Sequence, residues 1–157
     1  MELGAEWTLW AHLPHDTDWA ITSYKEIVTV TSPGLLNGLM EALPDELIKN
    51  CMLFFMRAGV MPMWEDPVNK SGGCFSFKVP NKSAASAFRE LTDILLGGSI
   101  SDDLRIRNSI VGLTISPKRT FCIIKLWTAT DMSAGLGDMS IPECLSQTQC
   151  MFKKHAR

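Results

Sequence analysis

Apolar positions along this chain change period several times, and each change marks an element. Glu6-Trp7-Thr8-Leu9-Trp10-Ala11-His12-Leu13 is an apolar-rich run ended by Pro14, which predicts a first strand over 6–13. A polar turn, Pro14-His15-Asp16-Thr17-Asp18, closes on Trp19. Tyr24 to Val30 alternates weakly, as a second strand would, until Ser32-Pro33-Gly34 breaks it. Leu35, Leu36, Leu39, Met40 and Leu43 then recur at helical spacing up to Pro44, a short amphipathic helix. Met52 to Met56, bounded by Gly59 and Pro62, predicts a buried strand, and Cys74 to Val79 an alternating one that stops at Pro80. Ser83 is the expected N-cap of a helix with Ala84, Ala87, Phe88, Leu91 and Leu95 on one face and Gly97-Gly98 at its end. Leu104 to Ile115 predicts a strand whose phase slips near Asn108-Ser109, as at a bulge. A basic turn with Pro117, Lys118 and Arg119 leads to a last strand, Phe121 to Thr128.

Many of these connections are too short for parallel crossovers. The expected fold class is therefore α+β, a curved antiparallel sheet with helices on one face. With 157 residues the chain predicts one domain, 1–157, and its 46% hydrophobic content suffices for a core without disulfides or metal. No apolar run is long enough to span a membrane, and the start, Met1-Glu2-Leu3-Gly4-Ala5-Glu6, lacks the basic and apolar regions of a secretory signal. Cys51, Cys74, Cys122, Cys144 and Cys150 are odd in number and irregularly spaced, which favours reduced thiols in the cytoplasm, with the nucleus as a second location. A net charge of -2 argues against gripping long nucleic acid by its phosphates, so any such binding should use a small local site.

The segment Met61-Pro62-Met63-Trp64-Glu65-Asp66, followed by Asn69-Lys70-Ser71-Gly72-Gly73, sets an indole beside a carboxylate where Pro and Gly prevent helix or strand from continuing. Such a pair can hold a flat cationic base by its face and its edge at once, which suggests a nucleotide binder. In the last strand Phe121, Ile123, Lys125 and Trp127 share one side, and Cys122, Ile124 and Leu126 the other. Lys125 beside Trp127 suits either a rim where an anionic ligand meets an aromatic surface or a lysine snorkelling at a strand edge. Zincin, nucleophile-elbow and phosphate-loop patterns are absent, and His12, His15 and His155 have no convincing nucleophile or metal partner in the sequence. Cys144, Cys150 and His155 are poorly spaced for a metal. The chain is expected to be no enzyme, and to use no cofactor and no metal.

Trp7-Thr8-Leu9-Trp10, Trp19, Gly59-Val60-Met61-Pro62-Met63-Trp64-Glu65-Asp66, Asn69-Lys70-Ser71-Gly72-Gly73 and Leu126-Trp127-Thr128 resemble, in order and approximate spacing, the eukaryotic translation initiation factor 4E family, which binds the messenger RNA cap. The resemblance covers about residues 7–130, and its Pro-Met-Trp-Glu-Asp and Asn-Lys-x-Gly-Gly blocks are highly specific together. It implies helices on the convex face of the sheet and a ligand slot on the concave face. Trp19 and Trp64 would sandwich 7-methylguanine. Glu65 would accept from the guanine N1–H and N2 amino group, the Trp64 backbone N–H would donate to O6, and Trp127 would lie against the N7-methyl group. Trp7, Trp10 and Gly72-Gly73 would be framework. The implied partners are capped messenger RNA, with 7-methyl-GTP as minimal ligand, and a scaffold or inhibitory protein on the dorsal helix, where the usual partners are expected to bind poorly or to be replaced by a non-standard one. The chain itself would be a monomer outside such a complex.

The chain departs from this family in places. Gly112-Leu113-Thr114-Ile115 lacks the Arg that contacts cap phosphates, so Lys118, Arg119 and Lys125 are the expected substitutes; Lys118 and Arg119 are equally compatible with a solvated hairpin tip. The dorsal helix begins Pro33-Gly34-Leu35-Leu36 without the family's Trp; Leu35, Leu36 and Leu39 could form an apolar groove for a partner helix or be plain core. Cys74-Phe75 stands where a basic residue and Trp are favoured. The tail, 131–157, matches nothing that can be placed and is expected to lack the family's terminal strand. A relative that keeps the fold as a protein-interaction or repressor module is the alternative reading.

Overall fold

The computed structural model describes residues 5–137, 139–146 and 150–155. Among these residues seven strands, β1 (Trp7–His12), β2 (Tyr24–Val30), β3 (Met52–Arg57), β4 (Gly73–Pro80), β5 (Ile110–Pro117), β6 (Phe121–Thr128) and β7 (Cys150–Lys154), form one sheet in the order β2-β1-β3-β5-β6-β4-β7. Every pairing is antiparallel. The helices are α1 (Pro33–Ala42), α2 (Asp45–Asn50), α3 (Pro67–Lys70), α4 (Asn81–Leu96), α5 (Leu104–Ser109) and α6 (Glu143–Ser146). The α+β class and the curved antiparallel sheet are as the sequence predicts.

Side chains alternate across each strand, so the sheet has two distinct faces. Trp7, Leu9, Leu53, Phe55, Phe75, Phe77, Leu113, Ile115, Ile124 and Leu126 turn to the helices and make the main core. Helix α4 supplies its counterpart: Ala84, Ala87, Phe88, Leu91 and Leu95 are buried, and Phe88 stacks on Phe55 with centroids 6.0 Å apart. Arg89 fixes the neighbouring helices by donating to the Met40 carbonyl (2.7 Å), the Leu43 carbonyl (2.6 Å) and Asp45 Oδ1 (2.6 Å). It thus caps the last turn of α1 and anchors the first turn of α2. On the opposite face Phe54, Met56, Val60, Cys74, Val111 and Trp127 form a smaller apolar cluster, with Trp10, Tyr24 and Met52 against it.

Several expectations need correction. Residues 104–109 are helix rather than strand, because local capping outweighs the alternation of Leu104 and Ile106. Ser101 Oγ accepts from the Asp103 N–H (3.0 Å), and Asp103 Oδ1 accepts from the Arg105 N–H (2.9 Å), which turns the chain into α5. The expected irregularity falls between Ile110 and Gly112, where β5 slips against β6. Helix α4 starts at Asn81, after an N-cap at Pro80, two residues before Ser83. Helix α2, only six residues long, is too short to show a period. The tail does carry a terminal strand: β7 pairs with β4 from Gly73↔Lys154 to Phe77↔Cys150. A Cβ on Gly73 would run into the Lys153 carbonyl oxygen, so the bare backbone is what lets β7 approach.

Candidate functional site

Two adjoining clefts open on the face of the sheet opposite the main core. The first, about 300 Å3, is lined by Trp19, Tyr24, Met52, Phe54, Pro62, Met63, Trp64, Glu65 and Trp127. Trp19 and Trp64 are 51% and 46% exposed, whereas Trp127 is 8% exposed and forms the floor. Half-exposed indoles on a soluble surface forgo much of the burial they could gain, which marks a binding surface more readily than a core. Gly112 underlies this floor: a Cβ there would meet Met56 Sδ at 2.5 Å and Trp127 Cβ at 3.1 Å.

Trp64 and Glu65 stand on a loop fastened from below. Asn69, fully buried, donates through Nδ2 to the carbonyls of Met61 (3.0 Å) and Met63 (2.8 Å). Asp66 accepts from the backbone N–H of Met61 (2.8 Å) and of Val68 (2.9 Å), the second bond capping α3. Gly59, at φ 88°, makes the turn that leads into the loop. The Asp and Asn of the two sequence blocks thus hold the loop, and Trp64 and Glu65 line the cleft.

Trp19 stands on the 13–20 turn. Asp16 Oδ1 accepts from the Asp18 N–H and Asp18 Oδ1 from the Ala20 N–H, each at 2.9 Å. One face of Trp19 lies flat on buried His12, with centroids 3.8 Å apart and planes 1° apart. His12 Nε2 is 2.7 Å from the Asp18 carbonyl oxygen, and because a carbonyl only accepts, Nε2 carries the proton. Tyr24 meets both rings edge-on and also Phe54. Burial and the Glu65 carboxylate raise the Tyr24 pKa, so it stays a neutral phenol at the edge of the cleft.

The second cleft, about 340 Å3, shares Trp64 and Trp127 with the first and adds Cys74, Ser76, Lys125, Lys153, Lys154 and His155. Strand β7 brings the last three residues there, and the His155 N–H donates to the Gly72 carbonyl at 3.0 Å. His155 packs on Trp127, with centroids 5.0 Å apart, and its Nε2 lies 3.6 Å from Cys74 Sγ. Burial pushes the Cys74 thiol up to about 12, although Lys125 pulls the other way, so no thiolate cancels the cleft's positive charge. Burial and then Lys125 lower the His155 pKa. Lys154 pairs with Asp131 at 2.8 Å, whose carboxyl that bond holds down at about 2. Lys125 and Lys153 form no ion pair among the described residues. Side by side, the clefts offer an aromatic slot with a carboxylate at its edge and a cationic groove beyond it, complementary to a flat cationic base bearing an anionic chain.

Of the residues expected from the sequence, Trp19, Trp64, Glu65 and Trp127 line one cleft and Lys125 the next. Lys118 and Arg119 line neither. They are exposed at the β5–β6 turn beyond Phe121, which is about 20 Å from Trp127 at some 3.3 Å per strand residue. In α1 the three leucines divide: Leu36 is core (5% exposed), Leu39 is partly buried against it, and Leu35 is 39% exposed. Sequence reasoning missed His12 as the backing of Trp19, because nothing in a sequence shows which ring lies beneath another. It also missed Lys153, Lys154 and His155; their run of basic residues was visible, but the pairing partner that places them was not.

Known proteins bear on these observations. The family model described as eukaryotic initiation factor 4E matches residues 2–156, including the tail. A translation initiation factor 4E from Eremothecium gossypii is 28% identical over 141 residues, which is 85% of this chain and 65% of that one. A translation initiation factor 4E homolog of Acanthamoeba polyphaga mimivirus is 33% identical over 61 residues, 39% of this chain and 22% of that one. The chain thus spans less than two thirds of these relatives' length. A schistosome eIF4E solved in complex with m7GpppG and 4E-BP superposes with a TM-score of 0.73 at 21% identity, over 86% of this chain and 75% of the other. With the family model matched over nearly its whole length, this chain belongs to the eukaryotic initiation factor 4E family.

Proposed function

We propose that this protein binds the 7-methylguanosine cap of messenger RNA and acts by binding, without catalysis, in translation initiation. One observation carries the reading: Trp19, Trp64 and Glu65 converge on a cleft that runs into a second one bearing Lys125, Lys153 and His155. The schistosome eIF4E was solved with m7GpppG, which supports the same ligand class here. N7 methylation makes the purine a cation. Between two indole faces it gains cation–π attraction besides stacking, each stack contributing about 1–3 kcal/mol. Glu65 accepts from N1–H and the N2 amino group in charge-assisted bonds. Adenine presents the wrong donors and leaves the carboxylate unpaired. The phosphates run over Trp127 into the lysine cleft, where Cys74, neutral, replaces the cation the family favours and β7 supplies Lys153 instead.

The free face of Trp19 is available for stacking because its other face already rests on His12. A protein partner of the 4E-binding kind, present in the schistosome complex, would meet α1 through exposed Leu35, with Leu36 and Leu39 supporting from the core side. Titration of tryptophan fluorescence with 7-methyl-GTP and with GTP tests the reading. Saturable quenching by the methylated ligand, much weaker with GTP and reduced about 5- to 150-fold in affinity by Trp64→Ala, is the expected result. Equal or absent response to the two nucleotides would favour the interaction-module alternative.

A further inference from the structure

A third cavity, about 210 Å3, lies on the other face of the sheet, lined by Trp7, Arg57, Leu95, Leu96, Ile100, Leu104 and Arg107 among others. Trp7 and Arg57 are direct cross-strand partners, so Arg57 shares the helix-covered face with Trp7 and points away from the cap slot. Its guanidinium sits 5.4 Å over the Trp7 ring.

Two arginines line this cavity without a counter-ion among the described residues. Arg57 Nη2 donates to the Arg107 carbonyl at 2.6 Å, and Arg107 Nη1 reaches the Gly98 carbonyl only at 3.5 Å. The Nε–H of each arginine is buried and has no acceptor among the described residues. Neither guanidinium has a carboxylate within ion-pair distance among those residues. Partial burial lowers the Arg57 pKa, the direction expected of a cation drawn part-way out of water. Buried charge in native proteins is ordinarily paired, and an orphaned buried donor calls for an unseen ion or water. The remaining walls, Leu95, Leu96, Ile100 and Leu104, are aliphatic, so a bare inorganic anion would leave most of the cavity unfilled.

The geometry points to this cavity as a binding site for an aliphatic carboxylate, its oxygens between Arg57 and Arg107 and its branched tail against Leu95, Leu96 and Ile100. Arg is suited to the head group because its planar fork matches a carboxylate, and the indole of Trp7 holds one fork in place. The site is independent of the cap slot: on β3, Leu53, Phe55 and Arg57 face the helices while Met52, Phe54 and Met56 face the slot.

The probe is 4-methylpentanoate, followed by 1H–15N spectra of the arginine Nε–H groups and the tryptophan indoles. The expected result is a saturable shift of Arg57, Arg107 and Trp7, with the Trp19 and Trp64 indoles unmoved. The neutral 4-methylpentanamide should bind about tenfold more weakly or not at all, from loss of charge-assisted bonds. Arg57→Gln and Arg107→Gln should each weaken the acid about tenfold. Should either variant fold poorly, Leu104→Glu serves instead: this exposed position at the start of α5 tolerates an acid, which would repel the ligand from the cavity mouth. Equal binding of acid and amide would overturn the proposal. So would undiminished binding by Leu104→Glu, inorganic phosphate binding as well as 4-methylpentanoate, or binding seen only after Glu2→Gln, which would mean that the chain's own acid occupies the arginines.

Discussion

Asn69→Asp tests whether the slot is built from beneath. The substitution keeps size and shape, yet it replaces two donated bonds, to the carbonyls of Met61 (3.0 Å) and Met63 (2.8 Å), with a carboxylate facing two oxygens. The site is fully buried, so water does not compensate. Each carbonyl left without its donor costs about 1–3 kcal/mol, and a buried carboxylate adds to this unless it takes up a proton. The expected loss is about 2–6 kcal/mol, a large part of the roughly 5–15 kcal/mol that holds a domain folded. For a chain of this size, about 2–4 °C per kcal/mol puts the fall in Tm at roughly 4–24 °C. The protein that remains folded should bind 7-methyl-GTP more weakly, because the loop carrying Trp64 and Glu65 has lost its staple. Asn69→Ala, which removes the donors without adding charge, should fall between wild type and Asp. Thermal unfolding monitored by circular dichroism, with the fluorescence titration run in parallel, reads both effects. If Asn69→Asp unfolds within a degree of wild type and binds the nucleotide equally well, the staple has no energetic role and the argument fails.

Lys125→Glu should weaken 7-methyl-GTP markedly while changing affinity for 7-methylguanosine little, since only the former carries phosphates into the lysine cleft; equal losses would place Lys125 elsewhere in the recognition. Lys153→Ala should lessen the salt dependence of 7-methyl-GTP binding, measured as the slope of log affinity against log salt. His155 faces Cys74 of β4, Lys125 and Trp127 of β6 and its own neighbours Lys153 and Lys154, the last of these paired with Asp131. Its folded pKa lies below 6.5, so the unfolded chain takes up the proton first; stability should therefore fall as pH drops from about 6.5 toward the folded value and level off below it. Triphosphate in the cleft should offset that loss, and thermal unfolding from pH 7.5 to 5 with and without 7-methyl-GTP, against His155→Gln, measures both. Gly73→Val should detach β7, through collision with the Lys153 carbonyl, and so weaken the triphosphate more than the nucleoside in the same titrations.

The sequence by itself carried the sheet's strands wherever an apolar period persisted, as in β6, where Cys122, Ile124 and Leu126 separate cleanly from Lys125 and Trp127. It also carried the juxtaposition of an indole and a carboxylate at one edge of the cleft, because Trp64-Glu65 is a local pair that needs no distant partner. Short-range capping was written there too, at Ser101 and Asp103, but the alternation of Leu104 and Ile106 obscured it. What tertiary structure alone decided is everything that depends on juxtaposition across the chain. His12 under Trp19, Arg57 beside Arg107, and Lys153 beside Lys125 are separated in sequence by 7 to 50 residues. Lys118, Arg119 and Lys153 are all cations near a strand end, and nothing local distinguishes them. Strand pairing does: it sends the first two to a solvent turn and lays the third along β4 beside the slot, because Gly73 has no side chain to keep β7 away.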